Sequence, residues 1–404
     1  MNKKIIKIFF LIFIFMLFCT SLASCKKADV SVSSIEEYPD QKDFYSIAGK
    51  NTNPGENINT YMPTSKTINK GSNGVWIGPK WIMEDKSSVT KLLMHLNEIE
   101  ISRLYVNLGE IKPLDISRNN NQNNAYKFGV YFNNFNIIDE KTLFPDNDYK
   151  MLLNFAAGVK NFNKNNNSDF KVMGVINGNE KYDLLNNRDE NKKDSLKNIV
   201  KTTINFFNSD KLKINEKEIF DGFQLDIEPV SGGNEEFLIL LNEIKYILPE
   251  NQTLSVVISQ IGPENDLYIC SDSYIRDSIA SVLRPGDEIT LMAYNLGLSL
   301  DDYKKNIADQ VYRLVKSISP KNIDSSVYIP LYPENNKNNH HASSIENIEN
   351  ALEGLLLTQK FNGITENISR VIIFNYDELY GTEEWVKGFN DFKNLWINDK
   401  YNDF

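Results

Sequence analysis

The chain has 404 residues, 41% of them hydrophobic, with 44 Lys and Arg against 54 Asp and Glu for a net charge of −10. An acidic surface repels polyanions, which argues against nucleic acid and other anionic partners and suits a neutral polymer such as a glycan. A chain of this length can bury a core large enough to hold a fold without covalent cross-links.

At the N-terminus Lys3, Lys4 and Lys7 precede an apolar run from Ile5 to Phe18, and Leu22-Ala23-Ser24-Cys25 closes it with small residues before a cysteine. The pattern resembles a bacterial lipoprotein signal. That resemblance implies removal of residues 1–24, a lipid on Cys25, and a mature chain anchored to a bacterial membrane on its extracytoplasmic side. An uncleaved membrane anchor is the other reading, but a spanning helix needs about 20 apolar residues, more than this run supplies. Loss of the three leader lysines changes the balance to 41 bases against 54 acids, a net of −13. Cys19 leaves with the leader and Cys25 carries lipid, so Cys270 alone remains and no disulfide forms within the exported chain. Residues 25–72 are rich in Ser, Asn, Lys, Pro and Gly without a sustained period, which predicts a flexible tether before a domain over 73–404.

From Val75 the chain alternates strand and helix patterns. Val75 to Ile82 reads as a strand, and Val89, Leu92, Leu93, Leu96 and Ile99 mark one face of the helix after it. Leu104 to Leu108 is the second strand, followed by an Asn-rich insertion from about Asn119 to Asp148 and a helix over Tyr149 to Phe162. Phe170 to Ile176 and a helix near Leu196 to Phe207 form the third unit; Ile219 to Glu228 and a helix marked by Phe237, Leu240, Leu241, Ile244 and Leu248 form the fourth. Leu254 to Ser259 with Tyr274 to Leu283, Ile289 to Tyr294 with Tyr303 to Ile318, and Val327 to Leu331 with Ile345 to Leu356 follow. The last pair is Val371 to Phe374 and a helix carrying Trp385, Phe389, Phe392 and Trp396. Eight strand–helix pairs with Val- and Ile-rich strands predict an α/β fold, a (β/α)8 TIM barrel, whose working face lies at the C-terminal ends of the strands.

The fourth strand carries the chemistry. Side chains on a strand alternate faces, so Gln224, Asp226 and Glu228 point one way and Phe223, Leu225 and Ile227 the other. Two carboxylates on the inner face of an apolar strand cost stability and call for a reason beyond packing. Asp221-Gly222-Phe223-Gln224-Leu225-Asp226-Ile227-Glu228 resembles the D-G-x-D-x-D-x-E signature of glycoside hydrolase family 18, the chitinases and endo-β-N-acetylglucosaminidases, with Gln224 where the family has its middle Asp. The resemblance implies a (β/α)8 barrel with this motif on the fourth strand, where the independent count also puts it. It further implies hydrolysis of β-linked N-acetylglucosaminides with retention, the substrate's own acetamide acting as nucleophile. Glu228 would be the general acid and later base, Asp226 would orient the acetamide, and Asp221 would support the strand from the other face. Mutual repulsion of the two neighbouring acids would raise one pKa and keep Glu228 protonated near neutral pH. Gln224 can hydrogen-bond Asp226 but carries no charge, which predicts an altered pH dependence.

A second element, Leu291-Met292-Ala293-Tyr294-Asn295, resembles the family's M-x-Y-D at the end of the sixth strand, with Asn295 for Asp. It implies that Tyr294 donates to the acetamide oxygen and that Met292 shares its face. Trp81, Tyr332 and Tyr376, near other strand ends, are candidates for stacking on sugar, or else helix–barrel contacts; Tyr376 is the substitute for a strand-eight Trp that the family often has. Gln260, beyond strand five, is a candidate polar contact. His340-His341 sits in an Asn-rich loop without partner acids at ligand spacing, and His95 reads as a helix-surface residue. There is no Gly-rich phosphate loop, Ser-His-Asp order or Cys-x-x-Cys, so no cofactor or metal is expected. Two other functions fit the same barrel. One is a non-catalytic glycan-binding surface lipoprotein. The other is a hydrolase using two enzyme carboxylates, which needs a second acid at another strand end such as Asp377 or Glu378.

Overall fold

The computed structural model describes residues 72–78, 80–83, 86–113, 128–132, 135–137, 146–179, 184–185, 190–228, 230, 232–262, 269–294, 296–331, 345–362, 368–376, 381 and 383–398. The leader, Cys25 and the tether up to residue 71 lie outside them, as do Asn295, Tyr332, His340, His341, Asp377 and Glu378.

Twelve strands are described: β1 (Asn73–Ile77), β2 (Ile101–Pro113), β3 (Phe128–Phe132), β4 (Phe135–Ile137), β5 (Lys171–Gly178), β6 (Gly222–Ile227), β7 (Thr253–Ile258), β8 (Ile261–Gly262), β9 (Cys270–Ser271), β10 (Glu288–Met292), β11 (Asp324–Pro330) and β12 (Ile368–Phe374). Eight of them pair in parallel in the order β1-β2-β5-β6-β7-β10-β11-β12, and β1 pairs again with β12. The sheet is therefore closed: the expected eight-stranded barrel, with β6 as its fourth strand.

Each strand shows why it sits where it does. Val75 and Ile77, Leu104 and Val106, Phe223, Leu225 and Ile227 are all buried in the layer between barrel and helices. That layer receives Val89, Leu92, Leu93 and Leu96 from the helix Lys86–Glu98, the apolar stripe legible in the sequence. The opposite parity fills the lumen, where Trp76, Tyr105, Met173, Val175, Val257, Tyr294, Tyr328 and Ile372 form a second cluster. A barrel interior of this kind is a packed core.

The lumen also holds charge. The fully buried Glu288 pairs with Arg370, 4% exposed, and lies 3.5 Å from Arg103. Its Oε1 accepts from the Tyr105 hydroxyl at 2.7 Å, Ser255 Oγ at 2.8 Å and Thr290 Oγ1 at 3.1 Å, while Arg370 Nη2 donates to Asp324 at 2.7 Å. Burial lowers the Arg370 guanidinium to about 10, which leaves it charged at neutral pH and bound to its carboxylates.

Some boundaries differ from the sequence reading. The first strand ends at Ile77 and Trp81 falls in the short helix Lys80–Met83, because the chain turns at Gly78. The described part of the Asn-rich insertion holds an antiparallel hairpin, β3 and β4, added to the edge of β2. The fifth helix starts at Asp272 and contains a π-helical turn over Ile275–Ile279. His95 is not a surface residue: it stacks on Trp385 at 4.6 Å and meets the edge of Phe389, and burial lowers its pKa. The described helix Lys86–Glu98 packs its imidazole against the C-terminal helix Glu383–Asp391 instead. Among the described residues no helix is long and apolar enough to cross a membrane.

Candidate active site

Gly222 opens β6, and its lack of a side chain has a steric cause. A Cβ there would fall 2.2 Å from the Thr253 carbonyl oxygen of the adjacent strand and 2.7 Å from Met173 Cε. The glycine lets β6 lie tightly between β5 and β7, which fixes where the residues after it emerge. Asp221, just before it, accepts from the Val172 backbone N–H at 2.8 Å while its own N–H donates to Val172 O at 2.7 Å. It clamps the start of β6 to β5, at the barrel end away from Glu228, with Lys171 Nζ at 3.9 Å.

Gln224 is fully buried in the lumen. Its Nε2 donates to Ser255 Oγ at 2.9 Å and Thr290 Oγ1 at 3.1 Å, and its Oε1 accepts from the Tyr328 hydroxyl. These partners replace the expected bond to Asp226: both amide protons go to hydroxyls below, so Gln224 ties the site to the Glu288 network beneath it. A neutral amide suits this position because Ser255 and Thr290 already serve the buried Glu288 carboxylate.

One pleat up, Asp226 and then Glu228 line a cleft of about 350 Å³ at the C-terminal strand ends, with Asn107, Glu110, Asn177, Gly178 and Asn179. Register explains the grouping. Glu110 on β2 pairs with Asn177 on β5, and Asn177 pairs with Asp226 on β6, so three polar side chains stand in one layer across three adjacent strands. The Glu228 backbone N–H donates to Gly178 O at 3.2 Å, extending the pairing one residue past the strand.

Glu110 was not anticipated. In a regular strand it would share a face with Leu104, Val106 and Leu108 and point at the helices. The register between β2 and β5 shifts between Asn107 and Gly109, and Gly109 adopts φ 135°, a bulge that inserts Leu108 as an extra residue. Beyond it the parity reverses: Ile111 enters the helix-side core, and Glu110 and Lys112 turn to the mouth, paired at 2.7 Å. Asn107 Oδ1 accepts from Gly109 N at 2.9 Å and Asn177 Nδ2 at 3.0 Å, which holds the bulge to β5. The signal was a Gly inside an alternating strand, the usual mark of a bulge.

Desolvation at the mouth pushes the Asp226 carboxyl up to about 7 from the ordinary 3.8. Burial first, then the neighbouring Asp226 charge, pushes the Tyr328 hydroxyl well above its usual range. A carboxyl raised in the folded state favours folding below its unfolded pKa, and that contribution is lost as pH rises through the folded value. Asp226→Asn, which cannot ionise, is therefore expected to be more stable than the parent at pH 8 by about 1–3 kcal/mol, a partly exposed share of a shift worth 1.36 kcal/mol per pK unit. The difference should shrink towards pH 4, as urea unfolding of both proteins at the two pH values would show. An equal stability at pH 8 would mean that Asp226 is not desolvated.

The second element is placed differently from the cleft. Tyr294, 5% exposed, stacks on Phe374 at 4.9 Å and lies 6.4 Å from Tyr328, with half-buried Met292 beside it. It belongs to an aromatic wall of Trp76, Tyr294, Tyr328 and Phe374 contributed by β1, β11, β12 and the residues after β10, and it is not among the cleft-lining residues. Two stacking candidates are corrected. Trp81, 4% exposed, and Tyr376, fully buried, meet edge to face at 5.7 Å, and Tyr376 also meets Trp385 and Phe389. Both seal the helix layer. At the end of the eighth strand it is Phe374, not Tyr376, that faces the lumen. Gln260 is half-buried beyond β7, its carbonyl accepting from Cys270 N at 3.2 Å, and does not line the cleft. Cys270 is buried, its thiol donating to Val230 O at 3.1 Å and pushed far up by burial and then by Glu228. Among the described residues no three His, Cys, Asp or Glu stand close enough to hold a metal ion.

No family model matches the chain, and no curated protein matches it. Among solved structures it is similar to the hyperthermostable endo-1,4-β-D-mannanase of Thermotoga petrophila, with TM-score 0.50, 11% identity, and coverage of 80% of this chain and 99% of that one. It is also similar to a GH18 chitinase from Pseudoalteromonas aurantia, with TM-score 0.45, 13% identity and coverage of 79% and 100%. The spore cortex-lytic enzyme SleL of Bacillus cereus gives TM-score 0.45, 11% identity and coverage of 79% and 74%. At these identities the likeness shows the fold. The chain is a (β/α)8 TIM barrel.

Proposed function

We propose that this chain is a glycoside hydrolase that cleaves β-linked N-acetylglucosaminides with retention, using the substrate's acetamide as nucleophile. The observation that carries the reading is the placement of Asp226 and Glu228, one pleat apart, in a cleft at the end of the fourth barrel strand, with Asp226 raised to about 7. The acetamide mechanism needs a proton on Glu228 rather than on Asp226. With that proton on Glu228, the acid can protonate the leaving oxygen while an ionised Asp226 accepts from the acetamide N–H and steadies the positive charge that develops on the ring formed with C1. Glu228, now a carboxylate, then takes a proton from the water that opens that ring. Tyr294 would act at the rim of its aromatic wall, donating to the acetamide oxygen. Its near-complete burial requires the side chain to open towards the cleft when sugar binds.

Glu110 supports a second reading, because it supplies the acid at another strand end that a hydrolase with two enzyme carboxylates needs. The protein beginning after Cys25 distinguishes them through release of nitrophenol from β-linked chitobioside. Turnover that falls in Glu228→Gln and is unchanged in Glu110→Gln supports the acetamide mechanism; a fall in both would favour the carboxylate pair.

The same proposal places the enzyme outside the cytoplasm. Cleavage after residue 24, a lipid on Cys25, a tether to about residue 72 and a barrel over 73–404 would hold it on a bacterial membrane facing a glycan. Metabolic labelling with a fatty acid should mark the parent and not Cys25→Ala; equal labelling would remove the anchor from the account.

A further inference from the structure

Two features of the cleft bear on which N-acetylglucosaminide it takes. Its described lining is three carboxyl side chains, three asparagines and a glycine, with no basic side chain among them. The third carboxyl is there because of the bulge at Asn107–Gly109, which turns Glu110 inward and stations it on β2, two strands from Asp226 and in the same layer. Lys112 pairs with the Glu110 Oε2 at 2.7 Å from the partly exposed side and is not among the cleft-lining residues. Asn107 and Asn177 are bonded to each other at 3.0 Å and hold the bulge in place, so the carboxylate is presented by a fixed backbone.

Resting on the reading of this cleft as the sugar site, we propose that Glu110 is a specificity-determining residue: it makes the β2 side of the cleft a subsite for neutral or amine-bearing sugar and excludes sugars that carry a carboxylate. Hydroxyl, amide or ammonium donors on the sugar meet acceptors there. An anion brought beside Glu110 meets like charge at the cleft wall. Of the glycans that offer the required acetamide, those with unmodified or de-N-acetylated glucosamine next to the cleaved unit fit, and those with a lactyl carboxylate at that position do not.

The test compares two trisaccharides of N-acetylglucosamine that differ at one unit, one bearing a 3-O-lactyl carboxylate and the other its uncharged lactyl amide, titrated calorimetrically into the full-length chain in detergent micelles with Glu228→Gln to prevent turnover. The amide is expected to bind at least tenfold more tightly, a difference of about 1.4 kcal/mol. Glu110→Gln should bring the ratio below threefold, and raising the salt should narrow it for the chain that retains Glu110, a readout that does not depend on how the variant folds. A ratio near one with Glu110 present, or a tenfold ratio that neither Glu110→Gln nor salt changes, would overturn the proposal. Turnover is followed separately with unmodified oligosaccharide and Glu228 intact. Selective binding without turnover would remove the hydrolase reading and leave this one, and turnover with no charge selectivity would do the reverse.

Discussion

Glu228→Gln is expected to lower kcat/KM on chitin oligosaccharides by about 10²–10⁴, the contribution of a positioned general acid and base, while the unfolding midpoint stays close to the parent's. The amide keeps the shape of the acid and can still donate a hydrogen bond, but it cannot deliver a proton. The backbone at this position stays anchored by its N–H to Gly178 O at 3.2 Å whatever the side chain, so the fold does not depend on the carboxyl. The loss should be smaller on a nitrophenyl glycoside, whose leaving group departs without much protonation, than on an oligosaccharide whose leaving group is a poor one. Equal losses on both would point to a role other than proton donor. Unchanged rates would remove Glu228 from the chemistry.

The second large effect is on stability. Glu288→Ala is expected to cost about 3–5 kcal/mol, because it leaves a buried cation without its partner. Arg370 keeps Asp324 at 2.7 Å, but it loses Glu288, as does Arg103, and Tyr105, Ser255 and Thr290 lose a shared acceptor. Against a total stability of about 5–15 kcal/mol this is enough to unfold a sizeable fraction of the protein. Glu288→Gln keeps an acceptor for the hydroxyls and loses only the charge, so its cost should be the smaller. Urea unfolding of the three proteins checks the order; a loss below about 1 kcal/mol for the alanine variant would mean that the arginines find solvent instead.

The Glu288 network also shows where sequence reading stops. The barrel was legible because its signals are local: a helical stripe such as Val89 to Leu96, and alternation such as Phe223 to Ile227, each name a face without reference to the rest of the chain. Asp226 and Glu228 were legible for the same reason, as acids on an otherwise apolar inner face. Glu110 was not, since its orientation depends on one inserted residue at Leu108, and a shift of one residue moves every following side chain to the other face. Trp81 was misplaced because the first strand, read to Ile82, ends at Ile77; Tyr376 follows a strand whose end at Phe374 was read correctly, yet it turns into the helix layer. Four residues past Ile77, or two past Phe374, are enough to take an aromatic ring from the mouth of the barrel to the layer under its helices. Gln224 was placed correctly in the lumen, yet its partners come from three other strands, β7, β10 and β11, and no local pattern ties it to Ser255, Thr290 or Tyr328.

The central claim is that the cleft at Asp226 and Glu228 hydrolyses sugars whose own acetamide takes part. Its most direct test is the turnover of nitrophenyl β-chitobioside beside nitrophenyl β-cellobioside, which has hydroxyls in place of the acetamides, with the configuration of the first-formed product followed by proton NMR. The account predicts turnover of the chitobioside with the β-anomer released first, and no turnover of the cellobioside. Turnover of both, or release of the α-anomer, would contradict it.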